Sequence, residues 1–432
     1  MAGLSLGIDF GTTNTVIALA GADGAADLVR FAAPEGELFA FRSALSFYAP
    51  TDQPAQRKVE AGPWAIEAYV EDPLETRFIQ SFKSFAASTS FTETQILGRR
   101  YQFEDMLSAF LLKLRDHAGS SLAQLPKRVI VGRPVTFAGA APDEDLALSR
   151  YETALARLGF EEILYAYEPV GAAFFFARAL REDATVLVGD FGGGTSDFSI
   201  IRFTRKNGEI ASTPLGRSGV GVAGDAFDYR IIDHLVSPAL GKGSSYTTFG
   251  KSLPIPNRYY SAFARWDQLA LMRASRDMRE IRKLVREADQ PDKIARLVET
   301  LDENYGYQLY RSVSRLKEAL STNDAASFSF KAGTIALEQM VQRAEFESWI
   351  TPELGRIENA VDRALADADL MPEQIDRVFL TGGSSLVPAV RDIFARRFDP
   401  ARIESGNELE SIASGLALMG RERDLERWCR RA

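Results

Sequence analysis

Two short stretches of this 432-residue chain carry the same set of chemistry-bearing residues. Gly7 to Thr15 reads GIDFGTTNT, and Val188 to Asp197 reads VGDFGGGTSD. Asp9 and Asp190 stand 181 residues apart, each followed by Phe-Gly and then a threonine. Gly11, Gly192, Gly193 and Gly194 can take φ > 0 and let a ligand approach the backbone closely. Backbone N–H groups at such a tip, with Thr12, Thr13, Asn14 and Thr195 beside them, make a concavity for phosphate oxygens. An aspartate cannot bind phosphate directly. It can hold a Mg²⁺ ion through water, or orient an attacking water. Two such tips facing each other would clasp one Mg²⁺–triphosphate from both sides.

The elements that must present these tips are readable nearby. Leu6-Gly7-Ile8 and Val186-Leu187-Val188 are apolar runs of the kind that form buried strands. Val16 to Leu19 and Phe198 to Ile201 are apolar again, so each tip reads as the turn of a β-hairpin. A third element, RVFLTGGSSLVP from Arg377 to Pro388, reads as a strand, a Gly-Gly turn and a helix start. The helix that follows Pro388 is amphipathic, with Val390, Ile393, Phe394 and Phe398 on one face. Gly382 and Gly383 would let a flat base or a ribose lie against the backbone. The other common phosphate motifs, GxxxxGK[ST] and a strand–GxGxxG–helix, are absent.

Composition narrows the chemistry further. The length implies two lobes. At 46% hydrophobic and 25% charged, the chain is of ordinary globular composition. No apolar run approaches the about 18 residues of a membrane span, so no membrane partner is expected. The formal charge of −8 argues against nucleic acid. The single cysteine, Cys429, fits a reducing, cytoplasmic compartment, and no leader peptide is expected at the N-terminus. Only His117 and His234 are present, which disfavours a histidine metal site or a His-centred triad. Chemistry must run on carboxylates, hydroxyls, lysines and backbone amides.

In order along the chain, LGIDFGTTNT (6–15), YEPVGAA (167–173), VGDFGGGTSDFSI (188–200), VAGDAFD (222–228), FLTGGSSLVP (379–388) and SIASGLAL (411–418) resemble the nucleotide-binding domain of the heat shock protein 70 (DnaK-type) family, within the actin-like ATPase superfamily. The resemblance implies an α/β fold of two lobes, each with a mixed sheet and helices, around a deep nucleotide cleft. Lobe I would be 1–182 with an added subdomain at about 38–115. Lobe II would be 183–432 with a helical added subdomain at about 227–310, and the final helix would return to lobe I. The resemblance implies ATP or ADP with Mg²⁺ as ligands. It makes Gly11, Thr12, Thr13 and Asn14 the first phosphate loop, and Gly192, Gly193, Gly194 and Thr195 the second. Asp9 and Asp190 become the acids around hydrated Mg²⁺. Thr195 and Asp197 become the polar pair near the γ-phosphate, and Glu168 a connecting acid whose following Pro169 acts as a switch. Gly224, Lys317, Ser321, Gly382, Gly383 and Ser384 become contacts around the nucleotide.

Departures from the family pattern qualify this. The lysine that approaches the γ-phosphate in the family is expected at Ile66, in GPWAIEAYV; Lys83, in SFKSF seventeen residues further on, is the alternative that could reach in. Glu318 stands where the family stacks an arginine on adenine, Leu409 where it has an acid, and Val170 where it has a threonine. Lost charge near a transferring phosphoryl group favours nucleotide binding over brisk hydrolysis. The chain ends at ERDLERWCRRA, which reads as a helix end with arginines at its dipole and no peptide-binding domain following. The expected function is therefore a Mg-ATP-binding, slowly hydrolysing chaperone-family switch with possible protein partners or co-chaperones. Two other classes share the superfamily fold. A sugar-type kinase would turn over ATP only with a hydroxyl acceptor, and an actin-like protein would polymerise with nucleotide.

Overall fold

The structure is a computed structural model that describes all residues except 1–3, 22–24, 34–35, 50–55, 74, 140, 178–179, 207–208, 265–268, 270–271, 273–274, 406–409, 421–424 and 432. The chain forms two compact units. One comprises Met1–Ala223, Arg356–Leu386 and Val390–Ala432; the other comprises Gly224–Gly355 and Val387–Ala389.

The first unit holds two mixed sheets of the same design. In the first sheet, strand Ser5–Phe10 pairs antiparallel with Asn14–Ala20 and parallel with Arg128–Arg133, which in turn pairs parallel with Glu162–Tyr167. Ala26–Leu28 closes the other edge. In the second sheet, Ala184–Phe191 pairs antiparallel with Ser196–Lys206 and parallel with Arg377–Thr381, which pairs parallel with Ile403–Ser405. Glu209–Val220 closes its other edge. Each sheet is thus a hairpin whose first strand opens a parallel run. The hairpins are those expected from the repeated motif. Ala184–Phe191 is buried at every position, which accounts for its unbroken apolar sequence.

Helices Glu168–Ala177 and Ser411–Met419 cross with their backbones nearly touching. A Cβ placed on Gly415 would lie 1.7 Å from the Gly171 carbonyl oxygen. The second helix also seats on strand Ser5–Phe10, where a Cβ on Gly7 would come within 2.3 Å of the Ala413 carbonyl. Leu416 and Ile412 join Ile130, Val186 and Phe379 in one apolar cluster. Phe10, Phe41, Phe82, Phe103, Phe110 and Tyr151 fill a second.

Between residues 41 and 118, a three-stranded sheet of Lys58–Ala61, Ala44–Tyr48 and Arg77–Gln80 packs against helix Gly62–Glu71. The second unit contains helices Arg276–Glu287, Pro291–Asp302 and Gly306–Thr322, and two hairpins, Ser245–Pro254 and Ala325–Gln342. Part of the segment 263–288, read from sequence as helical, falls outside the described residues. The expected helix end near Cys429 is instead a short 3₁₀ turn, Leu425–Arg427. Beyond it Arg430 exchanges both backbone hydrogen bonds with Tyr165, at the edge of the first sheet. Its guanidinium binds Glu144 and Asp145, which holds the segment extended.

Candidate phosphate site

Both hairpin tips are closed by the same hydrogen bond at the same offset. The Gly11 N–H donates to the Asn14 carbonyl at 3.0 Å, and the Gly192 N–H donates to the Thr195 carbonyl at 3.0 Å. The tips face each other: a Cβ built on Gly194 would stand 3.7 Å from Thr12 Oγ1. Ser43 braces the first tip. Its hydroxyl donates to the Gly11 carbonyl at 2.7 Å and its N–H to the Thr13 carbonyl at 2.9 Å. The Gly-Gly turn braces the second. Gly382 has φ +82°, and a Cβ there would lie 2.2 Å from the Phe191 carbonyl oxygen, so only glycine fits. Ser384 Oγ reaches the Gly192 carbonyl at 3.5 Å.

Four carboxylates gather beneath the tips. Asp9 and Asp190 end the first strands of the two hairpins. Asp197 is opposite Asp190 in the register of the second hairpin. Glu168 opens its helix directly after strand Glu162–Tyr167. The glutamate chain passes over Gly132, where a Cβ would come within 3.0 Å of Glu168 Cγ. Asp197 is fully buried, and its Oδ1 accepts from the Val135 and Thr136 N–H groups at 2.8 and 3.2 Å. Its Oδ2 is buried and has no hydrogen-bond partner.

One cation meets these acids. Lys83 Nζ lies 2.6 Å from Glu168 Oε1, with both side chains under 10% exposed. Lys83 is placed by a 3₁₀ turn, Phe82–Phe85, entered through Ser81 at φ 55°, and Phe82 anchors the turn in the core. The sequence expectation puts this lysine position at Ile66. Ile66 lies on helix Gly62–Glu71, which packs on strand Ala44–Tyr48, while Lys83 is the lysine that meets Glu168.

The electrostatics follow from this crowding. Burial, then Glu168, push the Asp9 carboxyl up to about 7, against the pull of Lys83. Burial and Glu168 also push Asp197 up to about 7, opposed by its bonds to Thr195, Thr136 and Val135. Asp190 is raised well above its ordinary value by burial and by Glu168, Asp9 and Asp197. Burial alone would lower the Lys83 ammonium, but Glu168, Tyr151 and Asp9 together hold it above its usual value. The three raised aspartates show acids crowded beyond what one ammonium can neutralise, and Asp197 Oδ2 is an unspent acceptor. These features fit a divalent cation. Among the described residues, no group of three His, Cys, Asp or Glu side chains is arranged to ligate a metal directly, so water would have to complete its shell.

Gly224, Lys317, Glu318 and Ser321 lie in the second unit. Gly224 begins helix Gly224–Ile231. Lys317 Nζ binds Asp228 at 2.7 Å and reaches the Gly224 carbonyl at 3.4 Å. Ser321 Oγ donates to the Lys317 carbonyl. Glu318 is exposed on the same helix, and Leu409 lies outside the described residues. Ser43, Val135 and Thr136 join the site without a sequence assignment, and Lys83, only an alternative in the sequence, joins it through Glu168. None sits in a recognisable motif, and all are brought in by tertiary packing.

A duplicated hairpin-plus-parallel-strand sheet with two facing Gly/Thr tips is the actin-like ATPase fold. A family model described as Hsp70 protein matches residues 75–244 and 280–421, and the chain belongs to the Hsp70 family. It is similar to the chaperone protein DnaK from two strains of Thermus thermophilus, at 28% and 27% identity, each over 98% of this chain. The chain spans 62% of the length of these relatives.

Proposed function

We propose that this protein binds Mg-ATP between the two hairpin tips and hydrolyses it slowly, as a nucleotide-dependent switch of the chaperone type. The observation that carries this is the pair of identically closed tips facing each other above four acids and one lysine. The N–H groups of residues 12–14 and 193–195, the Gly11 and Gly192 N–H groups being spent in closing the tips, cradle the phosphate oxygens. Asp9 and Asp190 would hold hydrated Mg²⁺, which supplies neutralisation of phosphate charge. Thr195 and Asp197 orient the attacking water, and Lys83 lays positive charge on the terminal phosphoryl. Gly382, Gly383 and Ser384, behind the second tip, face the nucleoside end. In this reading the lobes divide near residue 182, each sheet contributing one tip.

Slow hydrolysis has a structural reason. Lys83 is held in a short, buried ion pair and must exchange Glu168 for phosphate before it can assist. Protein partners would sense the nucleotide state, as expected for a DnaK-like chain.

The test is titration calorimetry with ATP and ADP in Mg²⁺, followed by phosphate release with no added acceptor. Binding with slow release is expected. Release only with a hydroxyl acceptor would indicate a kinase. Absence of binding would overturn the reading.

A further inference from the structure

Lys83 cannot serve Glu168 and a terminal phosphate equally. When the ammonium turns to phosphate, the Glu168 carboxylate is left nearly buried, having lost the one hydrogen bond from Lys83. A buried carboxylate without a partner is strongly unfavourable. Some group must therefore receive it, or Lys83 stays where it is.

Tyr151 is placed for this. It lies on helix Glu144–Ala156, 1% exposed, with its ring edge-on to Phe10 at 5.9 Å and stacked on Phe103 at 6.0 Å. Phe10 is the residue that follows Asp9. The Tyr151 hydroxyl is buried and has no hydrogen-bond partner. Phenylalanine would fill the same volume without that orphaned group. Tyr151 and Lys83 pack against the same Phe10 ring, Lys83 Nζ lying 6.0 Å from its centroid, and the charges of Lys83, Glu168, Arg133 and Asp9 all bear on the hydroxyl. Burial raises the phenol well above its ordinary value, so at neutral pH it keeps its proton and remains a donor. The site thus contains an unspent neutral donor on the Phe10 ring that also carries Lys83, the partner of Glu168.

We propose that Tyr151 is a positioning residue of the phosphate site: its hydroxyl donates to Glu168 when Lys83 leaves that carboxylate for the terminal phosphate. The inference rests on the ATP-binding reading above. It makes Tyr151 a determinant of ATP over ADP, because only the third phosphate draws Lys83 away.

The experiment compares wild type with Tyr151→Phe by calorimetry with Mg-ATP and Mg-ADP, alongside thermal unfolding. ATP affinity should fall on the order of tenfold, the worth of a hydrogen bond to a charged group. ADP affinity should stay within about twofold, since Lys83 keeps Glu168 in that state. The unfolding temperature should hold or rise, because an orphaned hydroxyl is removed. In a Glu168→Gln background, where no carboxylate needs compensation, the same substitution should lower ATP affinity by no more than about threefold. An unaltered ATP-to-ADP ratio in Tyr151→Phe, with wild type binding both, would overturn the role of Tyr151 alone. So would loss of both affinities together with a fall in stability, or a failure to fold, since either marks a merely structural residue. Wild type binding neither nucleotide would overturn the ATP-binding reading, and this inference with it.

Discussion

Lys83 Nζ and Glu168 Oε1 lie 2.6 Å apart, joined across 85 positions of sequence by a 3₁₀ turn and a helix start. Each side chain is under 10% exposed, so each is the other's main compensation. Lys83→Met should therefore cost stability as well as activity. Leaving Glu168 unpaired should lower folding stability by about 3–5 kcal/mol, and phosphate release should fall on the order of 10²-fold or more. Chemical denaturation and a phosphate assay measure the two. Adding Glu168→Gln to Lys83→Met should restore much of the stability and none of the turnover. Turnover in Lys83→Met equal to wild type would remove this lysine from the chemistry.

Ile66→Lys tests the same assignment from the other side. Had the lysine position been Ile66, the substitution would restore a missing charge and raise hydrolysis. Since Lys83 already occupies the acid cluster and helix Gly62–Glu71 packs elsewhere, phosphate release should stay within about twofold of wild type, as for a substitution away from the reacting groups. A clear rise would return the role to position 66.

Asp9→Asn and Thr195→Ala probe the two tips. Asp9→Asn removes one of the acids proposed to hold hydrated Mg²⁺, and should weaken Mg-ATP by about tenfold or more while lessening its dependence on Mg²⁺. Thr195→Ala removes a hydroxyl that also binds Asp197, and should slow phosphate release by about tenfold, the worth of one hydrogen bond to a charged group. Calorimetry at several Mg²⁺ concentrations and single-turnover release measure both effects. Unchanged values in both variants would mean that the tips do not hold the phosphates.

Gly415→Ala addresses the scaffold. The added methyl would have to occupy space 1.7 Å from the Gly171 carbonyl oxygen, which is backbone and cannot step aside. The helices must separate, at a cost of about 1–3 kcal/mol or more. A thermal midpoint equal to wild type would show that the crossing is looser than it stands here.

Much of this was legible from sequence because the motif is local. Each tip needs one apolar strand, one Gly turn and one returning strand, and all three are contiguous, so both hairpins and the strand into Gly382-Gly383 form where their residues imply. Asp9, Asp190 and Asp197 followed, because register within a hairpin is fixed by its turn. Lys83 did not follow. Its place depends on the left-handed Ser81 and on Phe82 sinking into the core, and neither has a signature in the surrounding letters. Placing the family lysine by its expected distance along the chain leads to Ile66 instead. Tyr151 was invisible for a related reason. Its spacing marks only a buried position of an amphipathic helix, and the isolation of its hydroxyl emerges only once Phe10, Phe103 and the acids close around it. Arg430 reads as a helix terminus until the free edge of strand Glu162–Tyr167 supplies its partner.

Glycines at 7, 171 and 415 let one short helix lie bare against both a strand and another helix. At Gly7 and Gly415 the nearest neighbour is backbone, and at Gly171 the Leu416 side chain fills the gap, so little room is left for rolling or sliding. The strand leading to Asp9 and the helix headed by Glu168 are thereby bolted to a common keel. Thermal motion should be damped there, and amide hydrogens along Ser411–Met419 should exchange with solvent among the slowest in the chain. If nucleotide is bound as proposed, the separation of these two acids should be the part of the site that changes least.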